Sequence, residues 1–200
     1  LVFGLAVMAG LYLIARGGWP ILAVGVASIG AAIWYTAGRY SLAALGLADV
    51  FVFVFFGPVA VGGTYYVQAL SLPTEVLLAG GGPGLLSIGI LLVNNVRDVA
   101  EDRRAGKRTL VVRFGRRFGV AAYGACLVGA LLLAGLLAAG LFGTTPHPWA
   151  ALPLGLLPLA IGPIRRLSET TDPEKLNPLL GATGRILVLW ALLFAVGWNL

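Results

Sequence analysis

The sequence predicts an all-α fold, a polytopic bundle of transmembrane helices, and three observations carry that prediction. Apolar runs of roughly 18 residues, the length that spans a bilayer, recur along the whole chain. Charged residues make up only 11% of the 200 residues, against about 25% in soluble domains. Thirteen of the fourteen Lys and Arg residues fall in three loops, the segregation that sets membrane orientation.

Seven spans follow: Leu1–Ala15, Pro20–Trp34, Asp49–Val67, Glu75–Val93, Phe118–Phe142, Trp149–Pro163 and Gly181–Asn199. The first starts inside an apolar run at Leu1, with no basic segment and no small-residue cleavage site. It is therefore read as a span rather than a signal peptide, and the chain as a fragment lacking an N-terminal part. Asp49 and Glu75 open the third and fourth spans, where the helix dipole favours acids, and are read as capping residues. Gly80-Gly81-Gly82-Pro83-Gly84 interrupts the fourth span. It is read as permitting close helix packing, with a kink as the alternative. Cys126, the single cysteine, lies in the fifth span and reads as a small packing residue. It has no disulfide partner in the chain, and no Cys/His cluster suggests zinc. His147, between Pro146 and Pro148, reads as structural. No internal repeat and no soluble domain is evident; residues 1–200 read as a single domain.

The three basic loops are 35–47, 94–117 and 164–185. Positive residues stay cytoplasmic, so these loops and residue 1 are assigned to the cytoplasmic side. The net charge of +6 then reports topology; no nucleic acid partner is implied.

One loop stands out chemically. From Asn94 the chain reads NNVRDVAEDRRAGKRTL, with three of the eight acidic residues inside five positions. Asn94, Asp98 and Asp102 are spaced i, i+4, i+8. If the preceding helix continues they share one face, about 6 Å apart along the axis per step. Three hard oxygen donors would then point into one cavity. One or two carboxylates plus substrate phosphates is the usual way Mg2+ is held, and Arg97 and Lys107 beside them suit phosphate oxygens. The same spacing also describes a solvated helix end laced by i,i+4 charge pairs.

The pattern N-x-x-R-D-x-x-x-D-x-x-x-G-K-x-T-L resembles the second aspartate-rich motif of the UbiA superfamily of membrane prenyltransferases. Tyr35-Thr36-Ala37-Gly38-Arg39 is similar to that superfamily's Tyr-x-x-x-Lys/Arg element, although Tyr and Arg also anchor helices at the headgroup level. Phe51 to Gln68, FVFVFFGPVAVGGTYYVQ, looks like the branch that prenylates 1,4-dihydroxy-2-naphthoate. The resemblance implies a nine-helix fold, of which the seven spans would be helices three to nine. The first aspartate-rich motif would precede this chain.

It further implies that Asn94, Asp98 and Asp102 are associated with Mg2+, that Arg97 and Lys107 contact diphosphate, and that Tyr35 and Arg39 are catalytic. The implied partners are a polyprenyl diphosphate, an aromatic acceptor, namely 1,4-dihydroxy-2-naphthoate, and membrane lipid. The implied location is a bacterial inner membrane. Phe51, Phe53, Phe55 and Phe56 are read as packing residues. Tyr65 and Tyr66, at the far end of their span, are read as family markers outside the site. Arg165, Arg166 and Lys175 are assigned to topology. Competing readings are another acceptor (4-hydroxybenzoate, homogentisate, haem or a chlorophyllide) and a transporter or scaffold. Transporters place charges near the bilayer midplane, whereas here they cluster at one surface.

Overall fold

The computed structural model describes residues 2–36, 41–143 and 145–200. In chain order its elements are α1 (Val2–Gly17), α2 (Trp19–Thr36), α3 (Leu42–Leu45), α4 (Ala48–Val54), a π-helical segment (Phe55–Val59), α5 (Ala60–Ala69), α6 (Thr74–Ala79), α7 (Gly81–Arg97), α8 (Val99–Arg104), α9 (Leu110–Phe114), α10 (Arg116–Ala138), a 3-10 segment (Pro148–Leu156), α11 (Leu157–Glu169), a short 3-10 turn (Glu174–Leu176) and α12 (Asn177–Trp198). The described residues contain no strand.

Among the described residues five helical stretches are long and apolar enough to cross a membrane: Ala48–Ala69, Thr74–Arg97, Arg116–Ala138, Pro148–Glu169 and Glu174–Trp198. Two shorter apolar helices, α1 and α2, precede them. The protein is thus a multi-pass membrane helical bundle, and its seven apolar segments coincide with the seven spans read from hydropathy.

The core lies between α7, α10, α12 and the segment Pro148–Leu156. Leu86, Leu92 and Val93 meet Leu127, Leu131 and Leu137, with Ile186 and Trp190 closing the third side. Buried polar groups find partners inside the bundle, as a lipid surround demands. The Tyr123 hydroxyl and Thr183 Oγ1 are 2.8 Å apart, and Thr183 Oγ1 donates to the Leu179 carbonyl at 2.8 Å. The Trp190 indole N–H donates to the Ala130 carbonyl at 2.9 Å. His147 stacks on Trp198, which stacks on Phe194 and so on Trp190, a column that bears out its structural reading. On α1 and α2 the large apolar side chains Leu11, Trp19, Val26 and Ile29 stay exposed, as lipid-facing residues do.

Three spans are broken, each at Pro or Gly. Pro58 has no N–H to give, so the ladder widens into the π segment, and Gly57 leaves helical space at φ −107°, ψ −108°. The second break, between α6 and α7, falls at Gly80. The two breaks face each other: a Cβ on Gly57 would lie 2.7 Å from the Gly80 carbonyl, and one on Gly84 2.8 Å from the Phe53 carbonyl. Close backbone approach therefore explains the glycine run. The third break is the 3-10 stretch around Pro153.

Candidate functional site

The α7–α9 connection is built by its sequence, residue by residue. The α-helix proper ends at Arg97, and Asp98 takes φ −96°, ψ 11°. The i→i+4 ladder nevertheless runs through the kink: Asp98 N–H donates to the Asn94 carbonyl and Asp102 N–H to the Asp98 carbonyl, both at 2.8 Å. The spacing of Asn94, Asp98 and Asp102 thus survives in the backbone. Gly106, at φ +72°, reverses the chain after α8. That reversal carries Lys107 back, so that its Nζ reaches Asp102 Oδ1 at 2.7 Å. Thr109 then caps α9 by accepting from the Val112 N–H. The loop is moored to α3 by Arg108 N–H on the Ala44 carbonyl at 2.8 Å and by the Arg113 guanidinium on the Leu45 carbonyl at 2.7 Å.

Each aspartate carries one cation. Arg97 grips Asp98 through two bonds of 2.6 and 2.8 Å, and its remaining arm donates to Asn177 Oδ1 at 2.7 Å, tying the loop to the start of α12. The guanidinium holds the Asp98 carboxyl below its ordinary range, and Lys107 adds to the effect from farther away. The hydrogen bond that Lys107 donates to Asp102 pushes the ammonium upward in turn. Asp102 is buried and Lys107 is half exposed.

Two concavities flank this connection. The larger, about 750 Å³, is walled by Ser28, Ala31, Ala32 and Tyr35 of α2, by Phe51, Val52, Phe55 and Phe56, by Ser87, Ile90, Leu91 and Asn94 of α7, and by Leu187 of α12. It is a mostly apolar chamber with Tyr35 and Asn94 among its few polar groups. The smaller cleft, about 400 Å³, is lined by Arg97, Asp98, Ala100, Glu101, Arg104, Pro173, Glu174 and Asn177.

The structure brings Asn94, Arg97, Asp98, Asp102 and Lys107 into one connection, with Tyr35 within electrostatic range of Lys107. It does not turn the three oxygen donors into one cavity. Asn94 faces the chamber, Asp98 the cleft, and Asp102 lines neither; the kink at Asp98 and the separate cation partners divide them. Among the described residues no three His, Cys, Asp or Glu side chains converge on a common point. Arg39 lies outside the described residues.

Four residues beside the candidate site were not singled out by sequence reasoning. Phe51, Phe55 and Phe56 line the chamber instead of serving only as packing; the rings of Phe51 and Phe55 are stacked 5.9 Å apart. A Phe-rich run beside a proline break was the available signal, since a π segment often marks a functional site. The fourth is Asn177, eighty residues away in sequence, for which the sequence held no signal. Asp49 also differs from its reading as a cap. It sits in the first turn of α4 but is 7% exposed, and neither carboxylate oxygen has a hydrogen-bond partner.

The fold is thus a multi-pass membrane bundle with a mostly apolar chamber, which Asn94 joins to the connection that carries the paired aspartates and cations. The chain belongs to the UbiA prenyltransferase family, which matches residues 1–192. It is 38% identical over 176 residues to the 1,4-dihydroxy-2-naphthoate octaprenyltransferase of Escherichia coli, covering 88% of this chain and 56% of that protein. The enzyme of the same name from Mycobacterium tuberculosis is 38% identical over 194 residues, covering 96% of this chain and 63% of the relative. That of Haemophilus influenzae is 47% identical over 92 residues, 46% of this chain and 30% of the relative. The chain thus spans less than two thirds of the length of these relatives.

Proposed function

We propose that the protein is a prenyltransferase that moves a polyprenyl group from a polyprenyl diphosphate to 1,4-dihydroxy-2-naphthoate, releasing diphosphate and carbon dioxide. The observation that carries this reading is the juxtaposition of the 750 Å³ apolar chamber with the Arg97–Asp98 and Lys107–Asp102 pairs at one end. A prenyl chain needs the first, a diphosphate the second. The names of the relatives support the acceptor.

In the reaction the bond between the allylic carbon and the diphosphate oxygen breaks, and its electron pair leaves with the diphosphate. An electron-rich ring carbon of the naphthoate then bonds to the allylic carbon. The carboxyl group on that ring carbon departs as carbon dioxide, which restores aromaticity. Arg97 and Lys107 supply charge where the leaving group becomes negative, the effect that fixed cations serve best. Asn177 orients the Arg97 fork. The Phe51–Phe55 wall and Tyr35 exclude water from the reactive allylic carbon and hold the acceptor ring against it.

Two carboxylates and an amide oxygen are the kind of hard donors Mg2+ takes, but here Arg97 and Lys107 hold the carboxylates and the three side chains face different ways, so a metal needs those pairs to open and the donors to turn together. Asp98, Asp102 and Asn94 would hold it, and it would neutralise the diphosphate charge. The distribution of basic residues supports the cytoplasmic face, and the resemblance to the bacterial relatives supports an inner membrane.

The test uses membranes containing a full-length protein that carries this chain. They receive Mg2+, labelled polyprenyl diphosphate and either 1,4-dihydroxy-2-naphthoate or 4-hydroxybenzoate. Product with the naphthoate alone, abolished by EDTA, is expected, as is loss of most turnover in Asp98→Ala and in Asp102→Ala. Product with the benzoate alone overturns the acceptor. Retained activity in both variants overturns the metal role.

A further inference from the structure

The corner between α9 and α10 carries two features that the proposed reaction does not use: an uncovered pair of phenyl rings and an arginine with nothing to bond to. Gly115 makes the corner at φ +85°, ψ 169°, a conformation that favours glycine. The turn brings Phe114, the last residue of α9, against Phe118 in the first turn of α10. Their ring centroids are 5.1 Å apart, with the planes tilted at 49°. Phe114 is 63% exposed and Phe118 38%.

The exposure has a direction. Phe118, Ala121, Ala125, Leu132 and Leu136 follow one another at i, i+3, i+7, i+14 and i+18, which places them on one side of α10, and all five are exposed. The opposite side, with Gly119, Tyr123, Leu127 and Ala134, is buried in the core. α10 is long and apolar enough to cross a membrane, so the exposed stripe meets acyl chains. The two rings stand at its basic end, the depth at which aromatic side chains enter the boundary between headgroups and acyl chains.

The charge there is uncompensated. From Arg103 to Ser168 the sequence holds no Asp or Glu. Two cations of the corner are tied to backbone: Arg116 donates to the carbonyls of Leu167, Ser168 and Thr170 at the end of α11, and Arg113 to that of Leu45. Arg117 is exposed, and among the described residues it has neither a hydrogen-bond partner nor an ion pair. It is the immediate neighbour of Phe118, about 100° round the helix. A free guanidinium suits a phosphate, whose oxygens it can take through two N–H groups. The rings and the stripe beyond them suit hydrocarbon. A ligand that is anionic at one end and hydrocarbon at the other satisfies both.

We propose that the α9–α10 corner holds an anionic phospholipid, with its phosphate on Arg117 and its acyl chains along the exposed stripe of α10 beyond Phe118. None of these residues lines the chamber or the cleft, so the inference stands apart from the reaction proposed above.

The experiment takes a full-length protein carrying this chain in neutral detergent. It is titrated with phosphatidylglycerol, with phosphatidylcholine of the same acyl chains, or with glycerol phosphate. Unfolding temperature reads apparent affinity, and mass spectrometry of the intact protein counts retained lipid. Phosphatidylglycerol alone is expected to raise the unfolding temperature and to stay bound. Arg117→Gln should bind it about fivefold more weakly, the scale of one arginine at an anionic surface, while Arg117→Lys keeps most of the affinity. Without lipid both variants should unfold with the parent, since Arg117 bonds to nothing. Arg165→Gln removes another exposed arginine, one paired with Glu169, and should bind as the parent does. Equal responses to the two lipids overturn the inference, as does parental affinity in Arg117→Gln or an equal loss in Arg165→Gln. A response to glycerol phosphate that matches phosphatidylglycerol would make this a site for soluble anions and overturn the lipid.

Discussion

The Lys107–Asp102 pair offers a perturbation in which structure and chemistry separate. Asp102 has 8% of its side chain exposed and Lys107 45%, with 2.7 Å between charges. Replacing Lys107 by Met leaves a buried carboxylate without its cation. Breaking a fully buried pair costs about 3–5 kcal/mol, and an exposed pair contributes about 0–1 kcal/mol. One buried partner and one half-exposed partner put this case between, at about 1–2 kcal/mol. For a chain of this size that corresponds to roughly 3–6 °C in unfolding temperature. Adding Asp102→Asn removes the orphaned charge and should recover most of the loss, a coupling of about 1 kcal/mol in a double-mutant cycle. The assay is thermal unfolding in detergent beside turnover in membranes. If the two residues touch the metal–diphosphate complex, the double variant regains stability and stays inactive. A double variant that regains both would reduce the pair to a structural bridge and refute the site. Additive loss of stability would refute the electrostatic coupling itself.

Gly82→Ala should cost about 2 kcal/mol, because the new methyl group lands on the six-membered ring of Trp190, which its bond to Ala130 holds in place. The cost should shrink in a Trp190→Phe background, and an equal loss in both backgrounds would contradict the packing account. Arg97→Lys removes the two-pronged grip on Asp98 and the reach to Asn177 together. It should raise the KM for polyprenyl diphosphate about tenfold, since a point charge does not replace a guanidinium fork, and an unchanged KM counts against a diphosphate contact. The Asp98 carboxyl is depressed from its ordinary 3.8 by its bonds to Arg97. Its contribution to stability is therefore full above about pH 4 and is lost as pH falls through the lower folded value. Lys107 is raised above 10.5 by its bond to Asp102, so its contribution is full below about pH 10 and fades as pH rises through the folded value. Unfolding temperature should be insensitive to both pairs from about pH 5 to 9. A step inside that range that vanishes in Asp98→Asn would overturn the assignment.

The spans were legible because a bilayer imposes one length and one polarity on every crossing segment, and hydropathy reads both. The aspartate connection was legible for a different reason: backbone hydrogen bonds are local, so the i, i+4, i+8 spacing of Asn94, Asp98 and Asp102 carries straight into the i→i+4 ladder. Side-chain direction was not legible. Whether Asp98 faces the chamber or the cleft depends on a kink of one residue and on Asn177, which arrives from the other end of the chain. The glycine run at Gly80–Gly84 was legible as an interruption, but its partner across the helix pair, the break at Gly57 beside Pro58, was not, because their close approach is a tertiary contact. That Phe51, Phe55 and Phe56 line the chamber was not legible, because an apolar side chain has the same pattern in sequence whether it meets lipid, a helix or a cavity.

Asp49 was misread more instructively. An acid in the first turn of a helix is ordinarily explained by the helix dipole, and that explanation suffices when the carboxylate is in water. Here burial removes the water and leaves the dipole to stabilise the charge alone. A dipole interaction of about 0.3–1 kcal/mol does not offset the loss of hydration of a carboxylate. The contrast with the neighbouring loop sharpens the point. From Arg97 to Arg108 every carboxylate lies among cations, five basic residues against three acidic ones, and that surplus suits a diphosphate carrying more negative charge than one Mg2+ neutralises. Asp49 has no such neighbour bonded to it.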